Sequence, residues 1–397
     1  MAFISAIGAA VSGFFASLTW SSVGTFLLKS VASMGLSALA QKLSGKGAKS
    51  QGFGVKGQLE RGADVPQAFI VGRYATAGSL TYANTTGHEN LWMTWVITLS
   101  DLPCAGLTGL WVNGAKVTPV AGREGWTFVE EYIANDGSHI EDPRIQYRFY
   151  DGTQSVADDW LANEVSSAER PWDVSAIGTG KAYVVVRAAI DPERFRNGFP
   201  NFLFEVEGIP LYNPAKDTSV GGAGAHRWAD QSTWEVSENP AVQLYNVLRG
   251  IRYNGQWFYG LQDVSAAQLP VAHWIGQINK CAASINGVEG PEPLFRSSAE
   301  IPVDAEIHAI IENLLTACNG RLSDAGGVYK LFAGAPGTPV MALTDDDIIS
   351  TSEQSFTPFL GLADTVNGVA AKYPSPVAGW QVEAAPPLYN PDFEAED

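Results

Sequence analysis

Gly178-Thr179-Gly180-Lys181 carries the ingredients of a phosphate cradle: glycines that bring backbone amides close to an anion, and a lysine to meet its charge. The full pattern fails in two places. Ser175 stands where the first glycine belongs, and Ala182 stands where a hydroxyl should hold the metal. Gly221-Gly222-Ala223-Gly224 has the flexibility of a dinucleotide loop but lacks a strand pattern before it and a helix pattern after it, so it reads as a loop. The histidines, at positions 88, 139, 226, 273 and 308, form no HExxH pair. His308 and Glu312 share a helix face at i, i+4, but two ligands do not make a catalytic metal site, and an exposed polar pair is the simpler reading. Asp345-Asp346-Asp347 lacks the alternating spacing of a calcium loop and reads as solvated carboxylates where a helix or strand begins.

The remaining reactive types are equally unspecific. With 42 acidic residues, no carboxylate pair is privileged for glycoside hydrolysis, whose two acids meet only in the fold. Of the 12 tryptophans, Trp92 and Trp95 sit in an apolar strand pattern and Trp274 on an apolar helix face, which are core positions. Trp228 and Trp234 lie in a polar stretch and are candidate intersubunit contacts. Cys104, Cys281 and Cys318 have no CxxC spacing and leave one unpaired, which reads as buried reduced thiols. No catalytic residue, cofactor or metal is expected. A net charge of −17 argues against a tight grip on nucleic acid, because phosphate binding needs clustered Lys and Arg to release counterions.

The elements around these residues divide the chain into chemically distinct parts. From Ala2 to Gln41 the one charge is Lys29, among many large apolar residues. No positive charge precedes the apolar run, as a secretory signal requires, and serines dilute it below a spanning helix. Gly8, Ala9, Ala10, Gly13 and Ala16 would let helices approach closely. Residues 1–43 therefore read as an apolar helical segment packed on copies of itself or on a partner, with membrane insertion as the rival reading. Phe3, Ile4, Phe14, Phe15, Trp20, Phe26, Leu27 and Leu28 are the candidate partner or membrane contacts. The small polar run Ser44–Gly52 opens a linker over residues 44–58.

Beyond the linker the period changes to two. Leu91–Leu99 alternates with both faces apolar, which predicts a strand covered on both sides. Asn113-Gly114, between Leu110-Trp111-Val112 and Ala115-Lys116-Val117, is the residue pair best suited to a type I′ hairpin. Ile145–Tyr150 alternates as well and turns at Asp151-Gly152. A helix start follows at Asn239-Pro240, with Val242, Tyr245 and Leu248 on one face. A second helix contains Trp274. A third is expected over Asp304–Asn319, capped by Asp304, striped by Ile307, Ile310, Ile311, Leu314 and Leu315, and closed by a left-handed Gly320. Val328–Ala333 returns as a strand, while Asn286–Pro293 and Val220–Gly224 read as loops.

The order of these motifs resembles the tail tip attachment protein J family, the central hub proteins that close the distal end of long, non-contractile phage tails. The resemblance covers roughly the middle and C-terminal two thirds. It rests on Asn239-Pro240-Ala241, the helix with Trp274-Ile275-Gly276 and Cys281, the extended Gly290–Phe295, and Gly327–Phe332 after the third helix. Upstream, Tyr150–Gln154, Lys181–Val184 and Gly198–Phe202 resemble the family's sheet region.

The resemblance implies a β-dominated α+β protein with tube-like β-barrel or sandwich hub domains and an inserted helical region. The boundaries expected are hub β-structure over 59–238, a helix-rich region over 239–335 and returning β-structure over 336–397. It further implies a homotrimeric ring in the virion tail tip, assembled in host cytoplasm, that closes the tail tube and opens for DNA ejection. The implied partners are the distal tail protein, other tail tip proteins, the tape measure protein and, through this or an associated subunit, the host cell envelope. Genome DNA would pass without specific binding. Family members usually continue into further modules, so the end at Glu394–Asp397 makes receptor binding by these residues doubtful. The rival reading is a cell-wall glycan hydrolase or carbohydrate-binding adhesin.

Overall fold

The computed structural model describes residues 57–62, 64–134, 142–190, 199–287, 290–347, 368–389 and Pro391. They form two compact units that divide after Gly334. The apolar segment 1–43, with its candidate contacts from Phe3 to Leu28, lies outside the described residues.

The first unit begins with strands in close succession: β1 (Ala68–Val71), β2 (Arg73–Thr76), β3 (Ser79–Thr86), β4 (Trp92–Ser100), β5 (Gly106–Val112), β6 (Ala115–Lys116), β7 (Pro119–Ala121) and β8 (Thr127–Val129). The short pair β9 (Ile133–Ala134) and β10 (Asp142–Pro143) precedes β11 (Ile145–Tyr150), β12 (Ala182–Ala189) and β13 (Phe202–Glu207). They build a six-stranded antiparallel sheet ordered β3-β4-β12-β11-β8-β7 and a four-stranded one ordered β2-β13-β5-β6. The β5–β6 hairpin turns at Asn113 (φ 51°) and Gly114 (φ 82°), the paired positive angles that its sequence predicts.

Period-two alternation decides which side chains meet. Met93, Trp95, Ile97 and Leu99 of β4 and Val184 and Val186 of β12 face Leu110 and Val112 of β5 and Phe202, Phe204 and Val206 of β13, forming the layer shared by the two sheets. The opposite face of the large sheet presents Tyr82, Val96, Tyr183 and Val185 to a cover formed by residues 151–181. Leu161 and Val165 of a π-helical turn, with Trp160 and Trp172, lie in that cover. The valines of β12 are thus buried on both faces, and each contributes roughly 1.5–3 kcal/mol by burial. Among the described residues both sheets are open, so the architecture is a sandwich and the closed barrel is not formed.

A second core gathers the helices. α1 (Pro240–Arg249) is capped by Asn239, whose side-chain oxygen accepts from the amides of Ala241 (3.0 Å) and Val242 (3.4 Å). The same side chain donates to the carbonyl of Ile278 at 3.0 Å, tying the start of α1 to α2 (Val271–Cys281). β14 (Ile251–Tyr253) and β15 (Gln256–Tyr259) form a hairpin between these two helices. α1 is buried from Pro240 to Leu248, so its polar members need partners. Gln243 donates to the carbonyls of Ser237 and Ser297, and Asn246 donates to that of Tyr212, each at 2.8 Å. Trp274 on α2 is fully enclosed, and its indole donates to the Tyr329 carbonyl at 3.0 Å.

The segment after α2 departs from the loop expected over Asn286–Pro293. Its ends pair as β16 (Ser284–Asn286) and β17 (Pro291–Pro293), because extended residues beside prolines can still form an edge ladder. β18 (Ala299–Pro302) then returns to β1 with Phe69 opposite Ile301. α3 (Ile307–Ala317) starts later than expected: Glu306 is its N-cap residue, and Asp304 lies in the turn before it. Of its apolar stripe, Leu314 is buried, and Ile307, Ile310, Ile311 and Leu315 are partly buried against the core. Asn319 (φ 43°), not Gly320, takes the left-handed position after α3; asparagine tolerates that region, and the Gly320 amide then reaches the Leu315 carbonyl at 2.7 Å. A Cβ on residue 320 would meet the Cys318 sulfur at 2.8 Å, so glycine is needed there for space. The unit closes with the hairpin β19 (Arg321–Ala325) and β20 (Val328–Phe332).

The second unit contains a 3₁₀ turn at Asp345–Asp347 and two narrow ladders. β21 (Gly368–Val369) pairs with β24 (Leu388–Tyr389), and β22 (Lys372–Ser375) pairs with β23 (Gln381–Ala384) through a turn at Gly379 and Trp380.

Replacing Trp274 by alanine removes the largest enclosed side chain of the helical core together with its bond to Tyr329. Urea denaturation is expected to show a loss of about 3–5 kcal/mol.

Candidate interaction surfaces

Each stretch singled out for chemistry is held in a structural role. Lys181 forms an ion pair with Asp101, and Gln154 donates to the carbonyls of Gly178 (2.6 Å) and Lys181 (3.1 Å), so this glycine turn is tied down at the start of β12. In the 221–224 loop, the Gly222 amide donates to the Asp217 carbonyl and the Ala223 amide to the Ala215 carbonyl, both at 2.8 Å. His308 and Glu312 are the exposed pair expected, 3.3 Å apart. Asp347 accepts from the amide (2.8 Å) and hydroxyl (3.0 Å) of Thr344, which hold its carboxyl below the usual range. Among the described residues no group of three or more His, Cys, Asp or Glu side chains is placed to hold a metal ion.

The three cysteines are free and buried. Burial pushes the Cys104 thiol up to about 12. A hydrogen bond shared with Cys318, together with burial, pushes Cys281 up as well. Cys104 and Cys281 are thereby held in the protonated form, and the thiolate is the reactive form.

Two buried carboxylates were not legible in the sequence. Glu205 on β13 is fully enclosed and accepts from Arg73 (2.8 Å), Lys116 and the Trp111 indole (2.8 Å). Gly109 provides its space, since a Cβ there would lie 2.5 Å from a Glu205 oxygen. Asp158 accepts from the Tyr150 hydroxyl (2.6 Å), the Arg148 guanidinium (3.1 Å) and the Leu161 amide (2.9 Å), which fastens the sheet cover to β11. A cleft of about 580 Å³ opens beside Arg148, rimmed by Glu124, Asp159 and Glu164. Cross-strand register brings the distant partners of Glu205 together, which is why no local pattern announces them, whereas the partners of Asp158 lie within ten residues of it.

Trp228 and Trp234 come together. Their rings lie 5.6 Å apart, and both pack against Tyr212, at 5.3 and 6.0 Å. The Arg249 guanidinium lies over Trp228 at 4.0 Å, and the Trp234 indole donates to the Arg227 carbonyl at 2.8 Å. Both remain half-buried. The Tyr212 hydroxyl donates to Asp217 (2.6 Å), which also accepts from Ser219 and from Arg227 (3.0 Å). Burial pushes the Asp217 carboxyl up, but these bonds and the Arg227 charge outweigh it and hold it below the usual range. A signal for this loop is present in the sequence: Asp217-Thr218-Ser219 and Asp230-Gln231-Ser232 both place serine two residues after an aspartate, and both aspartates cap 3₁₀ turns.

His226 sits inside the same loop with its Nδ1 accepting the Asn213 amide at 3.1 Å. Burial lowers its proton affinity against the pull of Glu235.

Among the described residues, the second unit exposes large apolar side chains most densely. Val340, Met341 and Leu343 precede its ladders, and Val369, Tyr373, Val377, Val382, Leu388 and Tyr389 project from them into solvent.

No family model matches the chain, and no curated protein matches it. It is similar to a chain in a solved structure described as "Virion of native gene transfer agent (GTA) particle", with 16% identity, a TM-score of 0.47, and coverage of 98% of this chain and 77% of that one.

Because the folded state resists protonating His226 while the unfolded chain accepts a proton near pH 6.5, stability falls as the pH drops through and below that value. Urea midpoints measured from pH 7.5 to 5 are expected to decline, and the decline should shrink in a His226→Gln variant.

Proposed function

We propose that this chain is a structural hub protein of a phage-like virion: a homotrimeric ring at the tail tip that closes the distal tail tube and opens for DNA ejection. The observation that carries this reading is the region from Asn239 to Phe332. The motifs that resemble the J family lie there in chain order on elements of a single core: the Asn239-capped α1, Trp274 on α2, then α3 and the β19–β20 hairpin. The reading gives the apolar exposure of the second unit a purpose, because subunits of a ring bury such surface against neighbours.

In this role the work is mechanical. Receptor contact would shift subunit interfaces between closed and open arrangements, with no covalent step. Trp228 and Trp234 serve as intersubunit contacts through their exposed edges, and Arg249 and Asp217 hold their geometry from within the subunit. The distal tail protein, other tail tip proteins and the tape measure protein are the neighbours proposed. Host envelope contact is made by this or an associated subunit. The acidic balance lets the genome pass without specific binding, since a wall of like charge repels phosphate.

Electron microscopy of the purified full chain mixed with distal tail rings is expected to show threefold rings seated on them. Monomers that release sugar from cell wall would instead support the glycan hydrolase reading and overturn the hub.

A further inference from the structure

Two-stranded ladders are marginal in water when nothing covers them. In the second unit Val369 and Leu388 are directly opposed across β21–β24, yet they are 65% and 77% exposed. Tyr389, Tyr373, Val377 and Val382 add further exposed apolar surface on the two ladders and their turn. Such a surface needs an occupant that is itself apolar. The charge of the segment limits the choice, because the sequence from residue 335 to 397 carries ten carboxylates against the single Lys372. A second copy of the same acidic unit would bring like charges together, which opposes association.

One part of the chain has the complementary character. Residues 1–56 contain five lysines, at 29, 42, 46, 49 and 56, and no acidic residue, while the rest of the chain is acidic. Their first forty residues are also the most apolar continuous stretch, rich in Phe and Leu. We propose that the apolar segment 2–43 of a neighbouring copy docks on the face of the β21–β24 ladder that presents Val369 and Leu388, with the lysines of residues 42–56 set against carboxylates of the same unit. The inference rests on the oligomeric reading above, which supplies the neighbour. It adds the partner surface: each subunit contributes a basic apolar arm and receives one on an apolar ladder within a segment of acidic sequence. Such an exchange is heterologous, with arm and receiver different on each subunit, and it closes into a ring when the rotation between subunits closes.

The test uses the full chain with a photo-reactive benzophenone amino acid in place of Leu388, prepared as an equal mixture of isotopically light and heavy copies. After irradiation, mass spectrometry is expected to find residue 388 joined to peptides from residues 2–43, with mixed light–heavy pairs. The combined charge reversals Lys42→Glu, Lys46→Glu and Lys49→Glu should abolish most of that product, and raising the salt should weaken it. Cross-links confined to one copy, or joining residue 388 to a second ladder or to any surface other than 2–43, would overturn the inference. Trimers that form without the 2–43 cross-link would sink it while leaving the hub proposal standing. Monomers throughout would overturn both.

Discussion

Burial of β12 on both faces is the constraint on which the first unit depends. The strand's even-numbered residues from Ala182 to Ala188 fill the layer between the sheets, and Tyr183 and Val185 meet the cover formed by residues 151–181. A central strand of this kind admits one register, because a slip by one residue would exchange the residues that suit the inter-sheet layer with those that suit the cover. Once β12 is set, β4 and β11 are set on either side of it by ladders along nearly its whole length. The turn at Gly178–Lys181 acts as the anchor of that strand, which explains why its lysine is committed to Asp101.

A similar economy holds the helical core. α1 is buried almost throughout, and its polar side chains are spent on neighbouring backbone: Asn239 on α2, Gln243 on the chain leading to β18, and Asn246 on Tyr212. Through Tyr212 the helix reaches the loop that holds Asp217, His226, Trp228 and Trp234. The protonation state of His226 and the packing of the two tryptophans therefore belong to one connected structure. Each unpaired polar group within it would cost about 1–3 kcal/mol, a penalty that favours a single arrangement of the loop.

Features encoded by neighbouring residues were legible in the sequence, and those set by distant register were not. Asn113-Gly114 and Asn239-Pro240 carry their own geometry, and the turn and the cap stand where those residues place them. The apolar faces of Leu91–Leu99 gave a strand covered on both sides, although Leu91 itself lies just outside it. Asp304 and Gly320 were plausible ends for α3, but Glu306 and Asn319 take those positions. The partnership of β1 with β18 spans more than two hundred residues, and no local pattern announces it. The cluster around Glu205 is hidden for the same reason. Trp228 and Trp234 stood out because their stretch is polar, yet the ring and cation that hold them, Tyr212 and Arg249, come from elsewhere in the chain.

The two units differ in self-sufficiency. The first carries its own enclosed cores, whereas among the described residues of the second most large apolar side chains lie in solvent. This contrast underlies the account of the protein as a scaffold completed by its neighbours. Amide hydrogen exchange across a dilution series of the full chain tests it most directly. The account predicts slow exchange in β12 at every concentration and slow exchange over residues 368–389 only where chains are associated. Equal protection of residues 368–389 in isolated monomers would contradict it.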